Sequence, residues 1–138
     1  KTFLKRTVFF SAAEFFYNGK GRFCLKVNEM IRLLDAKLIS GSTELEVHTA
    51  CGSDMMSDVL AFVKDQAVLL TGLVNPQVVR TADMMDIHCV VFVRGKEPDD
   101  AMISLAEERG MVLLTTQKRM FTACGLLYQA GLRGGKDE

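Results

Sequence analysis

The feature of this 138-residue sequence that most constrains its fold is an alternation of short apolar runs with amphipathic segments. Each run is apolar at consecutive positions, which is typical of strands buried on both faces of a sheet. Strands are predicted at Ala67 to Leu70, Cys89 to Val93 and Met111 to Leu114. Helices are predicted from Pro76 to about Asp86, from Pro98 or Asp99 to Arg109, and from Gln117 to about Ala130. The alternation predicts an α/β fold with a mostly parallel sheet flanked by helices.

The segment before these units predicts further short elements of the same domain. Asn28 is a candidate cap for a helix, and Ser53 or Asp54 for a second one, because short polar side chains accept hydrogen bonds from the first helical amides. Extended pieces are predicted at Leu38-Ile39 and from Leu45 to Thr49.

Aromatic residues divide the chain into two parts. Six of the nine phenylalanines and one of the two tyrosines lie in residues 1–27, whereas all eight methionines come later. Within this part, Asn18-Gly19 is typical of a tight hairpin turn. We therefore predict an aromatic-rich hairpin or arm over residues 1–27, an α/β domain over 28–132 and a polar tail over 133–138. The alternative is that part of residues 1–27 is not native to the domain.

Charge and composition argue against several classes of partner. Seventeen basic and seventeen acidic residues balance, and neither sign gathers into a block that would bind a nucleic acid or an anionic membrane. The longest run without charged residues, Gln66 to Val79, is shorter than the roughly 17 to 20 residues of a membrane helix. The four cysteines form no CxxC pair and lie far from metal-ligand spacing with the two histidines. We expect a cytoplasmic protein that binds no nucleic acid, membrane, metal or cofactor.

Polar residues collect where the predicted strands end. The tetrapeptide VLLT occurs at Val68 to Thr71 and again at Val112 to Thr115, each time before a predicted helix. Because the carboxyl ends of parallel strands meet at one rim, small anions usually bind there. The candidate ligand-binding residues at this rim are Thr71, Gly72, Asn75, Arg94, Lys96, Thr115 and Thr116. The alternative is structural, since the threonines and Asn75 can end strands and cap helices, and the two cations can be solvated.

No catalytic template is found in the sequence. GxSxG, HExxH and a GxGxxG after a strand are all absent. The segment GLRGGK at Gly131 to Lys136 resembles the end of a phosphate-binding loop, but it follows a helix instead of preceding one. A Walker loop also needs a glycine where Ala130 stands and a Ser or Thr where Asp137 stands. We therefore assign no catalytic residue and predict a protein that is not an enzyme.

Three longer runs resemble a known family. They read LLTGLVNPQVVRTADMMDIHCVVFVRGKEPDDAMISLAEERGMVLLTT, then MFTACGLLY, and, earlier in the chain, SDMMSDVLAFV. These runs are similar to the DRTGG domain, which resembles the N-terminal domain of HPr kinase/phosphorylase. Asp54, Ser57 and Asp58 match the family's acidic helix-start motif, and the resemblance covers about residues 28–132. The five letters that name the family are replaced, because Glu44 to Ala50 reads ELEVHTA.

The resemblance implies a bacterial or archaeal regulatory domain, either alone or beside other domains such as CBS domains. Two hypotheses follow for this chain. The first is a non-catalytic interaction module that forms homo-oligomers and relays a signal to a signalling or metabolic partner protein. The second is a small-molecule sensor that binds a phosphate-bearing or carboxylate metabolite at the rim of the parallel strands.

Overall fold

The computed structural model describes residues 23–62 and 66–135, with the side chain of residue 62 excepted. The Asn18-Gly19 turn of the predicted hairpin lies outside the described residues, as do the first 22 residues of the predicted arm. The described chain forms seven strands and five helices. In chain order they are β1 (Leu25–Lys26), α1 (Val27–Leu34), β2 (Lys37–Ser40), β3 (Glu46–Val47), β4 (Thr49–Gly52), α2 (Met56–Phe62), β5 (Ala67–Thr71), α3 (Pro76–Met84), β6 (Cys89–Phe92), α4 (Asp100–Glu108), β7 (Val112–Thr115) and α5 (Met120–Ala130).

Five of these strands form one sheet in the order β2-β7-β6-β5-β4. The four strands from β4 to β7 are mutually parallel, and β2 joins β7 antiparallel at one edge. A separate ladder pairs β1 with β3. The structure thus confirms the predicted mostly parallel sheet flanked by helices.

The sheet is covered on both faces. One apolar cluster packs α2, α3 and α4 against alternate residues of the central strands, including Leu69, Val90 and Leu113. A second cluster packs α1 and α5 against the opposite face, through Val68, Val91 and neighbouring residues. Because β5, β6 and β7 contact both layers, every residue of these strands is buried.

The described core begins before residue 28, where the domain was predicted to start. Leu25 and Val27 are fully buried and belong to the cluster beneath α1 and α5. The first amides of α1 are bonded by the backbone, since Val27 N donates to Leu45 O at 2.9 Å and Asn28 N to Thr43 O at 3.0 Å. The prediction that Asn28 caps this helix is wrong, because the residue lies inside the helix and the cap position is Lys26.

The predicted strand from Leu45 to Thr49 is divided at His48. Its first half is β3, which pairs with β1, and its second half begins β4, which pairs with β5. At the division, the ring nitrogen Nδ1 of His48 lies 3.1 Å from the carbonyl oxygen of Phe23. The two halves therefore belong to different sheets.

Candidate functional site

The loop after β5 holds a carboxylate of the chain itself. Oδ1 of Asp54 accepts hydrogen bonds from the Gly72 amide at 2.7 Å and from the Thr71 hydroxyl at 3.0 Å. The same hydroxyl accepts from the Leu73 amide at 3.1 Å. Thr71 has no exposed surface, so its hydroxyl needs these partners. Donors at a strand-to-helix turn often bind an anion. In this loop they bind the Asp54 carboxylate of the chain itself.

Asp54 was also a candidate cap for α2, together with Ser53. The Ser53 hydroxyl accepts from the Met55 amide at 3.0 Å in a turn that precedes α2, which begins at Met56. The carboxylate of Asp54 turns instead toward the end of β5. The sequence allowed Asp54 and Ser57 to face the rim from the start of the preceding helix, but it did not predict the hydrogen bonds of Asp54, because an aspartate before a helix has the same pattern whether it caps that helix or bonds a distant loop.

Arg94 completes this cluster from the loop after β6. Its Nη2 atom lies 4.0 Å from Oδ2 of Asp54, and both side chains are about half exposed. A β-carbon on Gly72 would collide with the Arg94 guanidinium, so the glycine leaves room for that group. Arg94 itself has a positive φ of 59°, which few non-glycine residues adopt. Its amide donates to Lys118 O at 2.8 Å, which joins this loop to the one after β7.

Thr115 and Thr116 use their hydroxyls elsewhere. The Thr115 hydroxyl donates to the backbone carbonyl of Lys96 at 2.6 Å. The Thr116 hydroxyl donates to Leu34 O at 2.7 Å, on the face of the sheet that α1 and α5 cover. Both threonines are buried. The Lys96 side chain is exposed. These three residues connect loops and layers of the fold.

The sheet register separates the two threonines that end VLLT. Thr71 and Thr115 both pair with Phe92 of the intervening strand. Two strand spacings of about 4.8 Å place their backbones roughly 10 Å apart. The structure thus brings Asp54, Thr71, Gly72 and Arg94 together and leaves Thr115 and Thr116 outside that cluster.

Asn75 occupies the cap position before Pro76 but makes no side-chain capping bond. Its Oδ1 atom is buried and has no hydrogen-bond partner among the described residues, although the residue as a whole is only half-buried. Ser57 and Asp58, which match the family motif, lie exposed in the first turn of α2. Asn75 is therefore a rim residue with a buried side-chain oxygen that no described residue bonds.

A small cavity of about 110 Å³ lies between β4, α5 and the segment after α5, where the Ala50 amide donates to Arg133 O at 3.0 Å. Its walls come from β4, β5, α5 and the segment after α5, and the lining residues are Ala50, Gly52, Leu70, Cys124, Tyr128, Leu132, Arg133 and Gly134. The Arg133 guanidinium stacks over the Tyr128 ring at 3.8 Å. The sequence did not predict this cavity, because its walls come from four separate segments.

The four thiols are free, and burial raises the pKa of each. Burial raises the pKa of Cys89 to about 12, and burial together with a hydrogen bond to Glu46 raises that of Cys24 to about 11. Such thiols stay protonated near neutral pH and are poor nucleophiles. Within residues 23–62 and 66–135, no group of three or more His, Cys, Asp or Glu residues is placed to hold a metal ion. None of the helices in these ranges is long and apolar enough for a membrane crossing.

Comparisons with known proteins agree with this architecture. A sequence model of the DRTGG domain matches residues 29–130. No curated protein matches the chain. A crystal structure of the CBS and DRTGG domains of the regulatory region of Clostridium perfringens pyrophosphatase, complexed with the activator diadenosine tetraphosphate, superimposes with a TM-score of 0.65. The two chains are 16% identical, and the match covers 76% of this chain and 46% of that one, so the likeness concerns the fold alone.

Proposed function

Because the chain belongs to the DRTGG domain family, we propose that it is a non-catalytic regulatory module that associates with itself and relays a signal to a partner protein. The family match covers most of the α/β domain. The location proposed is the cytoplasm, which the four free thiols support, since disulfides are rare in reducing compartments.

The observation that carries this proposal is the internal use of the rim. A catalytic or ligand-binding rim needs donors and charges that remain available to a substrate. Here the Thr71 hydroxyl and the Gly72 amide bind Asp54, and the Thr115 hydroxyl binds the backbone of Lys96. These groups stabilise the arrangement of loops at the strand ends. A domain whose rim is stabilised in this way is better suited to present a surface than to turn over a substrate.

Light scattering coupled to size-exclusion chromatography tests the self-association. We expect a mass at least twice the 15.3 kDa of one chain, with dissociation on dilution through the micromolar range. A mass equal to one chain at every concentration would contradict self-association, although binding to another protein would remain possible.

A second function, sensing a small phosphate-bearing or carboxylate metabolite, is supported by Asn75. Its buried Oδ1, which has no partner among the described residues, lies on the loop that also carries the Gly72 amide, and a ligand that opens this loop and donates a hydrogen bond would satisfy that oxygen. The similar pyrophosphatase region was crystallised with a nucleotide activator. In this proposal the ligand contacts Gly72, Asn75 and Arg94, while Thr115 and Thr116 keep their internal bonds.

A thermal-shift screen against nucleotides, including diadenosine tetraphosphate, and acyl phosphates tests the sensor. A ligand present at a hundred times its dissociation constant adds about 2.7 kcal/mol to the free energy of unfolding. We expect Arg94→Ala to abolish the shift and Arg80→Ala, which removes an exposed cation from α3, to leave it unchanged. Equal shifts in the two variants, or no shift with any compound, would contradict the sensor.

A further inference from the structure

Helix α5 presents an uncharged and aromatic face to solvent. No residue from Met120 to Ala130 is charged, although a quarter of the whole chain is. Phe121 is 90% exposed and Tyr128 is 54% exposed. With the exposed Gly125 between them, they follow the spacing that places residues on one side of a helix. We call Phe121, Gly125 and Tyr128 the aromatic face.

Gly125 has no evident role within the described chain. A glycine inside a helix lowers stability relative to alanine, so its presence calls for a compensating reason. A β-carbon at this position would meet no atom within 4 Å, and the φ of Gly125 is not in the left-handed region. Neither internal crowding nor backbone conformation therefore requires glycine. Close approach of a second helix would require it.

The cavity beside β4 opens next to this face. Cys124 and Tyr128 line it from α5, and Leu132 and Arg133 line it from the segment after the helix, with the Arg133 guanidinium over the Tyr128 ring. Its volume of about 110 Å³ is somewhat smaller than that of a 150 Å³ apolar cavity that holds benzene, so it has room for part of a phenyl ring.

We propose that two copies of this chain associate through the aromatic face, with Phe121 of each copy entering the cavity of the other. Antiparallel α5 helices crossing at Gly125 place residue 121 of one copy opposite residue 129 of its partner, next to Tyr128 at the cavity. In a twofold contact each surface meets itself, so a charged face would oppose its own charge. The absence of charge on α5 suits such a contact. This inference rests on the self-association in the proposed function and assigns it to one surface.

The first test compares two arginine substitutions in the full chain by light scattering. Phe121→Arg places a cation at the partner's cavity, which Arg133 already lines, and we expect a mass of one chain where the wild type has that of two. Met84→Arg is the matched control, because Met84 is 73% exposed at the end of α3, and we expect it to keep the mass of two chains. Circular dichroism establishes that both variants are folded.

Gly125→Ala gives a second test that does not depend on an added charge. On a free helix alanine only raises the unfolding temperature, whereas at a close helix crossing it also separates the two copies. We expect a dissociation constant at least about tenfold higher than that of the wild type, together with a higher unfolding temperature of the dilute monomer.

The outcomes separate this inference from the proposed function. A wild type with the mass of one chain contradicts both. A wild type that associates, and still does so after Phe121→Arg and Gly125→Ala, contradicts the α5 surface and leaves self-association through another surface. A monomeric wild type that loses stability on Phe121→Arg would mean that Phe121 is covered by its own chain, which also overturns the inference.

Discussion

Replacement of Asp54 by alanine tests whether its carboxylate holds the strand-end loops together. The substitution removes the acceptor of the Gly72 amide and of the Thr71 hydroxyl, both of which belong to buried residues. Hydrogen bonds to a charged group contribute about 1.5 to 3 kcal/mol each, and a buried donor left without a partner costs about 1 to 3 kcal/mol. Because the Asp54 side chain is half exposed, water replaces part of the lost bonding. We expect Asp54→Ala to lower the free energy of unfolding by about 2 to 3 kcal/mol.

Two further variants separate the hydrogen bonds of Asp54 from its charge. Asp54→Asn keeps an oxygen in position and removes the charge, and we expect it to lower the free energy of unfolding by about 1 kcal/mol. Arg94→Ala removes an ion pair of 4.0 Å between half-exposed groups, and we expect it to lower the free energy of unfolding by less than about 1 kcal/mol. Equilibrium urea denaturation followed by circular dichroism measures all three. A change within about 0.5 kcal/mol for Asp54→Ala, or a larger loss for Arg94→Ala than for Asp54→Ala, would refute this reasoning.

Two other predictions concern backbone conformation and alkaline pH. Gly41→Ala should lower the free energy of unfolding by at least about 2 kcal/mol, because its φ is +93° and a β-carbon would lie 2.7 Å from the backbone of Val112. Gly110→Ala, also at positive φ but facing open space, should cost less in the same urea titration. Burial raises the pKa of Cys89 to about 12, so above about pH 9 the unfolded chain loses a proton that the folded chain keeps. The free energy of unfolding measured in urea should fall as pH rises above 9, by about 1.4 kcal/mol per pH unit for this thiol, and an equal fall in Cys89→Ala would contradict this assignment.

The central strands were predictable because their apolar runs leave no alternative placement. Strands β5, β6 and β7 begin or end within one residue of their predicted bounds. The helix predicted to start at Pro98 or Asp99 begins at Asp100, and Asp99 caps it, since its carboxylate accepts from the Met102 amide at 2.9 Å. Apolar runs and helix caps depend on neighbouring residues in the sequence, so these elements can be predicted without knowing the tertiary contacts.

The errors have two causes, a pairing partner distant in sequence and a local turn that delays the start of a helix. The strand predicted from Leu45 to Thr49 is divided because β1 competes for its first half. The helix predicted from Gln117 begins only at Met120, because the Thr116 hydroxyl accepts from the Lys118 amide and holds a turn there. The rim residues were predicted from their residue types. Which of them contact each other depends on the strand register and on the face of the sheet to which each side chain points, and no single segment of the sequence determines either.

The carboxylate held by the Thr71-Gly72 loop has a consequence for any molecule that would bind there. A group tethered to the chain acts at an effective concentration on the order of millimolar or above. A free carboxylate or phosphate would have to compete with Asp54 at that concentration, and its apparent affinity would fall by the fraction of time the loop is unoccupied. Only a ligand with additional contacts, such as one to Asn75, would therefore displace Asp54 at metabolite concentrations.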